Sequence, residues 1–139
     1  MRWLMLPQSI QETDKAYIAG FVDGEGSVLV ANGYLRVSIS QKEPAVLEWI
    51  QSIYGGRLIS NHDGFMHELI FNGQRATKLV DDLLPYLQVK QVQFECAKLF
   101  IATITEGGYQ LSDTVYTLRE ELGEKIKKAN NRGGAPCGG

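Results

Sequence analysis

The run from Ala16 to Ser27 constrains this chain more than any other, because a helical pattern changes abruptly into a strand there. Ala16, Gly20 and Gly24 recur every four residues along it. Residues at this spacing lie on one face of a helix, so the three positions leave a stripe without bulky side chains. A second helix can approach such a stripe until the two backbones nearly touch. The pattern therefore predicts a helix suited to close contact with another helix.

An acidic residue stands at the end of this predicted helix. The helix is expected to begin at Thr13 or Asp14, which are both suitable N-caps, and to end at Gly24. Glu25 then lies beside backbone carbonyls without helical partners, at an end whose partial negative charge favours cations. Two such ends brought together would form an oxygen site suited to Mg²⁺. The residues alone leave a plainer alternative open, which is a helix stop followed by a loop at Asp23–Gly26.

The chain has the composition of one globular domain. Its 139 residues are 44% hydrophobic, which is enough to form a single core. We expect the domain to cover residues 1–132, and the glycine-rich residues 133–139 to be a disordered tail. Pro7 interrupts the apolar N-terminal residues, so we expect neither a signal peptide nor a membrane partner. The two cysteines are too few for a disulfide framework and lack the spacing of a zinc site.

The charge balance is slightly acidic. The 14 basic residues are outnumbered by 16 acidic ones, for a net charge of −2. Affinity for a phosphate backbone comes from Lys and Arg, so this balance argues mildly against a nucleic-acid partner. Many of the acidic residues fall on predicted helices and away from the strands, including Glu48, Asp81 and Glu120. The distribution of charge matters more than its sum.

Asn32-Gly33 predicts a tight hairpin between two alternating segments, because both residues tolerate positive φ. The predicted cross-strand pairs are Ala31 with Tyr34, Leu29 with Arg36, and Ser27 with Ser38. One face of this ribbon is apolar and consists of Val28, Val30, Leu35, Val37 and Ile39. The other face is mixed and carries Ser27, Leu29, Ala31, Tyr34, Arg36, Ser38 and Ser40. The sequence therefore predicts a half-buried antiparallel ribbon whose mixed face meets solvent or a ligand.

A second ribbon and further helices follow. Helices are predicted at residues 44–53, 74–84, 90–105 and 112–129, and the second ribbon at residues 57–71 around Asp63-Gly64. If that turn has two residues, the outward positions are Arg57, Ile59, Asn61, Met66, Glu68 and Ile70. A longer loop would flip the second strand, and both alternatives stay open. The order is α-β-β-α-β-β-α with trailing helices, which predicts an α+β domain with a four-stranded antiparallel sheet.

The string from Tyr17 to Ser27, YIAGFVDGEGS, closely resembles the signature helix of the LAGLIDADG homing endonucleases. The resemblance extends over roughly residues 13–132, and the signature occurs once, so the chain is similar to the single-motif, homodimeric branch of that family. The resemblance implies an intracellular protein, in a bacterial or phage cytoplasm or an organelle, that cuts double-stranded DNA at a long, roughly palindromic site. It also implies a homodimer interface at Ala16, Ala19, Gly20 and Asp23.

The resemblance also implies roles for individual residues. In the family, the signature helices of two subunits present their terminal acidic residues to the scissile phosphates. This implies that Glu25 is a catalytic metal ligand and that the carbonyl of Gly24 is a second ligand. Gln41 matches a polar residue that organises active-site water, and Lys90 matches a lysine that activates water or stabilises developing charge. The implied cofactor is Mg²⁺ or another divalent cation such as Mn²⁺ or Ca²⁺. Some members carry an arginine where this chain has Ala45, so the chain departs from the pattern there.

The outward faces of the two ribbons are expected to lie in the major groove of DNA, where side chains can read base edges. The implied DNA contacts are Ser27, Leu29, Tyr34, Arg36, Ser38, Ser40, Arg57, Asn61 and Glu68. Two alternatives remain open: a splicing cofactor (maturase), because relatives with this fold bind intron RNA, and a DNA-binding protein that has lost cleavage. The presence of Glu25, Gln41 and Lys90 favours the nuclease, since a pure binder needs no acidic group near phosphates.

Overall fold

A computed structural model of the chain describes residues 10–107 and 112–134. The described residues follow the predicted α-β-β-α-β-β-α order with two trailing helices. Short 3₁₀ turns at Gly73–Ala76 and Leu84–Tyr86 flank the third helix, where a single longer helix was predicted. The elements are α1 (Glu12–Glu25), β1 (Gly26–Ala31), β2 (Tyr34–Gln41), α2 (Pro44–Tyr54), β3 (Arg57–Ser60), β4 (His67–Asn72), α3 (Thr77–Leu83), α4 (Gln91–Gly107) and α5 (Asp113–Gly134).

The four strands form one antiparallel sheet in the order β1-β2-β4-β3. The first hairpin turns at Asn32 and Gly33, whose φ angles are 54° and 79°. Both values lie in the left-handed region that a two-residue hairpin turn requires, and Asn and Gly are the residues that tolerate it. The predicted pairing of this hairpin is confirmed, with Ala31 opposite Tyr34 and Leu29 opposite Arg36.

In the second hairpin, the same residues face outward as in the prediction with a two-residue turn, although the observed loop is longer. Leu58 pairs with Leu69, and Ile59 pairs with Glu68. The N–H of Asn61 still donates to the carbonyl of Met66 at 3.0 Å, so residues 62–65 form the loop. An even number of loop residues preserves the alternation of the two strands, and the outward positions are therefore those predicted from a two-residue turn.

The core lies between one face of the sheet and the helices. Val37 and Phe71 of the sheet share a buried cluster with Ile18 of α1, Leu47 of α2 and Phe94 of α4. The predicted apolar face of the first hairpin is confirmed, because its members are buried or packed against that cluster. Since the helices cover this face, the opposite face of the sheet is left open.

The edge strand β1 is covered by α5. The side-chain amide of Asn130 donates to the carbonyl of Val28 at 2.9 Å, and Gln93 of α4 donates to the side-chain carbonyl of Asn130 at 3.2 Å. Exposed strand edges present unpaired backbone groups that invite pairing with other chains. This contact satisfies one such group and ties both C-terminal helices to the sheet.

Three predicted boundaries were wrong. Helix α1 begins at Glu12 with Gln11 as its N-cap, so Thr13 and Asp14 lie in the first turn, where acidic side chains favour the helix dipole. It also ends at Glu25, one residue later than predicted. Helix α5 runs to Gly134, beyond the predicted end at residue 129, and residues 135–139 of the predicted tail lie outside the described ones. None of the described helices is long and apolar enough to cross a membrane.

Candidate active site

The C-terminal end of α1 presents oxygen atoms to solvent. Glu25 is the last residue of the helix, and both Gly24 and Glu25 are exposed. The N–H of Gly26 donates to the carbonyl of Val22, which leaves the later carbonyls of the helix without helical partners. A carboxylate and backbone carbonyls at the negative end of a helix are the donors that hard divalent cations prefer.

The described residues of this chain offer two candidate metal ligands, the Glu25 carboxylate and the Gly24 carbonyl. No group of three or more His, Cys, Asp or Glu side chains that could hold a metal ion occurs among the described residues. Hard cations such as Mg²⁺ and Ca²⁺ take six or more oxygen ligands. The Glu25 carboxylate and the Gly24 carbonyl fit such an ion chemically, but the ion needs further oxygen ligands.

Lys90 reaches the same end of α1. Its Nζ donates to the carbonyl of Asp23 at 2.6 Å, and the side chain is partly buried. This carbonyl belongs to the last turn of α1, so the ammonium satisfies an acceptor that has no helical partner. The contact is with a residue two positions before Glu25, so it holds the Lys90 ammonium at the last turn of α1.

The Asp23 carboxylate is bonded to backbone N–H groups of its own chain, and its place in the predicted interface stays a prediction. One carboxylate oxygen accepts the N–H of Gln88 at 2.8 Å. The other accepts the N–H groups of Val89 and Lys90, each at 3.0 Å. Ala19, also predicted at the interface, lies one turn earlier on the same flank and has 0% exposure in the core. Ala19 therefore has no exposed surface with which to contact a second chain, whereas Asp23 is partly exposed.

Gln41 ends β2 close to the end of α1, since Ile39, two residues before it, pairs with Gly26, the first residue of β1. Its Oε1 accepts the N–H of Lys42 at 2.7 Å and the N–H of Glu43 at 3.3 Å. These two bonds occupy the lone pairs of the side-chain carbonyl, so the amide group is available as a donor only. Gln41 can therefore donate a hydrogen bond to an anion or a water.

The exposed face of α1 carries a stripe without bulky side chains that the packing of the chain itself does not require. Ala16, Gly20 and Gly24 are all exposed, as predicted for the stripe. A Cβ atom added at Gly20 or Gly24 would meet nothing within 4 Å. Glycine inside a helix costs about 1 kcal/mol relative to alanine, so packing within the subunit does not explain either one. Ala16 and Gly20 remain predicted interface residues.

An aromatic cluster borders this stripe. Tyr17 of α1 is 58% exposed. Its ring centroid lies 5.9 Å from that of Trp49 in α2 and 6.5 Å from that of Phe21. Large apolar side chains that stay exposed together are typical of a surface that contacts another molecule. The sequence pattern of α1 alone did not reveal Trp49, which comes from a different helix.

The open face of the sheet carries the residues predicted to contact DNA. Strand pairing aligns them in cross-strand rows, of which one contains Leu29, Arg36 and Asn72 and another contains Ser40, Glu68 and Ile59. Arg36 and Glu68 form an ion pair with 3.7 Å between Nη2 and Oε1. Both side chains remain partly exposed, so this charge pair is available to a ligand on the face. Ser27, Leu29, Tyr34 and Arg57 are exposed on the same face.

Two of the predicted contacts need correction. Ser38 lies on the open face, but it is only 6% exposed because it sits in a central strand between Ser27 and Ile70. Its hydroxyl has little surface for a base edge. Asn61 lies in the β3–β4 loop, and its Oδ1 accepts the N–H groups of Phe65 and Met66 at 3.0 and 3.2 Å. Its first role is to shape that loop.

The structure adds residues that the sequence reasoning missed. Asn72 is exposed opposite Arg36, and continuing the alternation of β4 by one pair would have identified it. Phe65 is 61% exposed in the β3–β4 loop, with the Nζ of Lys42 5.3 Å from its ring centroid. No local sequence signal links Lys42 to Phe65, because the contact depends on how the two hairpins lie side by side.

Solved structures of homing endonucleases share this fold. The archaeal intron-encoded homing endonuclease I-Vdi141I, complexed with DNA, matches with a TM-score of 0.73 at 21% identity, over 85% of this chain and 84% of that one. The homing endonuclease I-CvuI, in complex with its target in the presence of Ca, matches with a TM-score of 0.69 at 22% identity, over 85% and 82% of the two chains.

A longer chain shows the same likeness over part of its length. The LAGLIDADG meganuclease I-AabMI, bound to uncleaved DNA, matches with a TM-score of 0.65 at 21% identity, over 78% of this chain and 43% of that one. No family model and no curated protein matches the sequence. The chain therefore has the fold of the LAGLIDADG homing endonucleases.

Proposed function

We propose that this protein is a homodimeric, divalent-metal-dependent endonuclease that cuts both strands of a long, pseudo-palindromic DNA site. The main observation behind the proposal is the bond that joins Lys90 to the end of α1, two residues before the exposed Glu25. A fold hosts many functions, so the proposal depends on these residues and not on the fold alone. The fold adds support, because I-Vdi141I and I-CvuI were both solved with DNA.

A second copy of this chain would supply what one subunit lacks. The incomplete metal site at Glu25 and the unexplained glycine at Gly20 both favour a partner that approaches the exposed face of α1. The match to less than half of the I-AabMI chain is consistent with a domain that works as one of a pair. Two antiparallel cuts in a duplex need two reaction centres, and a twofold dimer provides them with one motif per chain.

Each residue at the site has a distinct proposed role. Glu25 and the carbonyl of Gly24 would hold a divalent cation such as Mg²⁺, Mn²⁺ or Ca²⁺, with DNA phosphate oxygens, water and the second copy completing its ligands. When bound, that ion supplies charge neutralisation at the phosphate and a more acidic water. Lys90 has three N–H donors, and only one is used by Asp23, so two can bind a phosphate oxygen or a water. Gln41 donates its amide hydrogens to the same centre and orients water or phosphate.

The open face of the sheet is the proposed DNA-binding surface. A two-stranded ribbon fits the major groove, where each base pair shows a distinct pattern of donors and acceptors. Arg36 and Glu68 are the charged side chains of this face that contact each other. We propose that Arg36, Glu68, Tyr34, Arg57, Ser27, Leu29 and Ser40 make its base and phosphate contacts. The net charge of −2 implies that affinity depends on this local arrangement and not on the charge of the whole protein.

Substitution of Glu25 by Gln tests the proposal. The variant keeps the size of the side chain and removes its negative charge, so we expect DNA binding to be retained. Cleavage in Mg²⁺ should fall by about 100- to 1000-fold, because removal of a group that stabilises transition-state charge lowers the rate on the order of 10²–10³. Binding is measured by electrophoretic mobility shift and cleavage by single-turnover assay. Both use one DNA site that the wild-type protein cuts in a randomised library. Cleavage at the wild-type rate would remove Glu25 from the mechanism.

The two rival functions predict different results from the same proteins. A maturase would bind intron RNA more tightly than any DNA duplex and would accelerate splicing in both the wild type and Glu25→Gln. An inactive DNA-binding protein would select a DNA site but leave it intact in Mg²⁺ and Mn²⁺. The departure at Ala45, where some relatives carry an arginine, makes the second rival worth testing.

A further inference from the structure

We propose that Asp23 is a positioning residue that fixes Lys90 beside the acidic end of α1. This inference rests on the proposed nuclease function, because it concerns how the same site is assembled. Asp23 contacts both ends of the lysine: its carboxylate accepts the backbone N–H of Lys90, and its carbonyl accepts the ammonium. The flexible four-carbon side chain of Lys90 is thereby held by Asp23 at both its backbone N–H and its ammonium group.

Lys90 occupies a position at the start of α4 that is unfavourable for a lysine. The carbonyl of Lys90 accepts the N–H of Phe94 at 3.0 Å, so Lys90 is the N-cap of α4. Lysine has no side-chain acceptor to satisfy the free amides of a helix start, and the positive potential there disfavours its charge. The Asp23 carboxylate, from the end of α1, accepts the N–H of Lys90 itself and places a negative charge beside this helix start.

The contacts of Asp23 with Lys90, called the clamp below, extend to the residues that lead into α4. The amides of Gln88 and Val89 bond to the Asp23 carboxylate along with that of Lys90. These contacts join residues that are 65 to 67 positions apart in the sequence. The segment before α4 is therefore hydrogen-bonded to the last turn of α1, which ends at Glu25, and the Lys90 ammonium is held at that turn.

This arrangement makes the rate of cleavage depend on Asp23. A displacement of a reacting group by about 1 Å can lower a rate on the order of 100-fold. Loss of the clamp releases the Lys90 ammonium toward solvent but leaves the sheet and the exposed face of α1 unchanged. We therefore expect Asp23 to affect the chemical step and not the binding of DNA.

Asp23→Asn is the informative variant. Asparagine keeps the size of the side chain and the oxygen that faces Val89 and Lys90, but it places an NH₂ group where an oxygen accepts the N–H of Gln88. The variant should bind DNA like the wild type and cleave it about 10- to 100-fold more slowly in single-turnover assays. Combined with Lys90→Ala, it should cause no loss beyond that of Lys90→Ala alone.

A matched control separates positioning from general destabilisation. Asn130→Ala breaks the tie between α5 and β1, which involves none of the proposed site residues, and should leave the single-turnover rate within about twofold of the wild type. Additive losses in the Asp23→Asn/Lys90→Ala double variant would overturn the proposal, as would an unchanged rate in Asp23→Asn.

Hydrogen exchange tests the clamp without reference to cleavage. In Asp23→Asn, the amide of Gln88, which loses its acceptor, should exchange at least about tenfold faster, while amides in the middle of α4 keep their rates. Unchanged exchange at Gln88 would overturn the clamp even in an active nuclease. If the wild type cuts no DNA in a randomised library, the nuclease proposal fails, and the exchange data still decide whether Asp23 holds Lys90.

Discussion

At the scale of single residues, the ion pair between Arg36 and Glu68 is the most specific feature of the open face. The pair spans 3.7 Å, and its side chains are 40% and 32% exposed. Exposed ion pairs contribute little to folding stability, typically about 0–1 kcal/mol. Arginine recognises guanine through paired donors, and glutamate accepts from the amino group of cytosine. The pair is therefore better suited to reading a base pair than to stabilising the sheet.

Arg36→Ala is predicted to relax base preference at one symmetric pair of positions in the DNA site. The change should remove about 1–3 kcal/mol of discrimination there and leave folding stability nearly unchanged. Binding to a library of single-base variants measures the effect, and Arg57→Ala on the edge strand β3 serves as the comparison. A uniform loss of affinity across all sequences would mean that Arg36 contacts a phosphate.

At the scale of secondary-structure elements, a small polar network joins α2 to α3. The hydroxyl of Tyr54 donates to Asp82 at 2.9 Å, and Lys78 donates to the same oxygen at 3.0 Å. Burial alone would raise the pKa of Asp82, but the hydrogen bonds from Lys78 and Tyr54 outweigh it and lower that pKa. Burial and the bond to Asp82 raise the pKa of Tyr54.

This network predicts a pH-dependent contribution to stability. A carboxyl whose pKa is lower in the folded state stabilises the fold above its usual value of about 4, and the effect is lost as pH falls through the folded value. Tyr54→Phe should therefore cost about 1 kcal/mol at neutral pH and less in acid. Urea unfolding at several pH values measures this. An equal cost at all pH values would show that Asp82 is not the partner that matters.

Local sequence patterns were sufficient for the elements but not for the contacts between them. The register of the first hairpin follows from Asn32-Gly33, whereas the phase of the second stayed open, because the sequence did not settle the length of the loop around Asp63-Gly64. The bond from Lys90 to Asp23 spans 67 positions and the bond from Asn130 to Val28 spans 102, so neither appears in any local pattern. Such contacts depend on how the helices pack on the sheet.

The same limit explains the error in the predicted interface on α1. Helical spacing identified the exposed stripe at Ala16, Gly20 and Gly24 correctly. It could not tell which neighbouring flank faces the subunit's own core, and Ala19 lies on that flank. Only the packing of α1 against the sheet and against residues 88–90 separates the two sides.

At the scale of the whole molecule, the account requires two copies of the chain. Gly20→Leu tests this requirement, because a Cβ atom at this position meets nothing within 4 Å in the subunit. Replacing glycine in a helix should stabilise the isolated subunit by up to about 1 kcal/mol. The same side chain would keep two α1 helices apart, so the variant is predicted to sediment as a folded monomer and to cut no DNA.

Thr117→Leu is the matched control for this prediction, since Thr117 is an exposed residue on α5. It adds a comparable apolar side chain away from α1 and should leave both dimerisation and cleavage intact. A dimeric Gly20→Leu variant with normal activity would mean that the subunits meet through another surface.

Cleavage of a randomised duplex library by the wild-type protein in Mg²⁺ decides whether this chain is a metal-dependent, site-specific nuclease. We expect sequencing of the cut ends to recover one long, pseudo-palindromic site, broken in both strands, and Glu25→Gln to yield none. Recovery of no cut site in Mg²⁺ or Mn²⁺, or of the same site with Glu25→Gln, would contradict the proposed function.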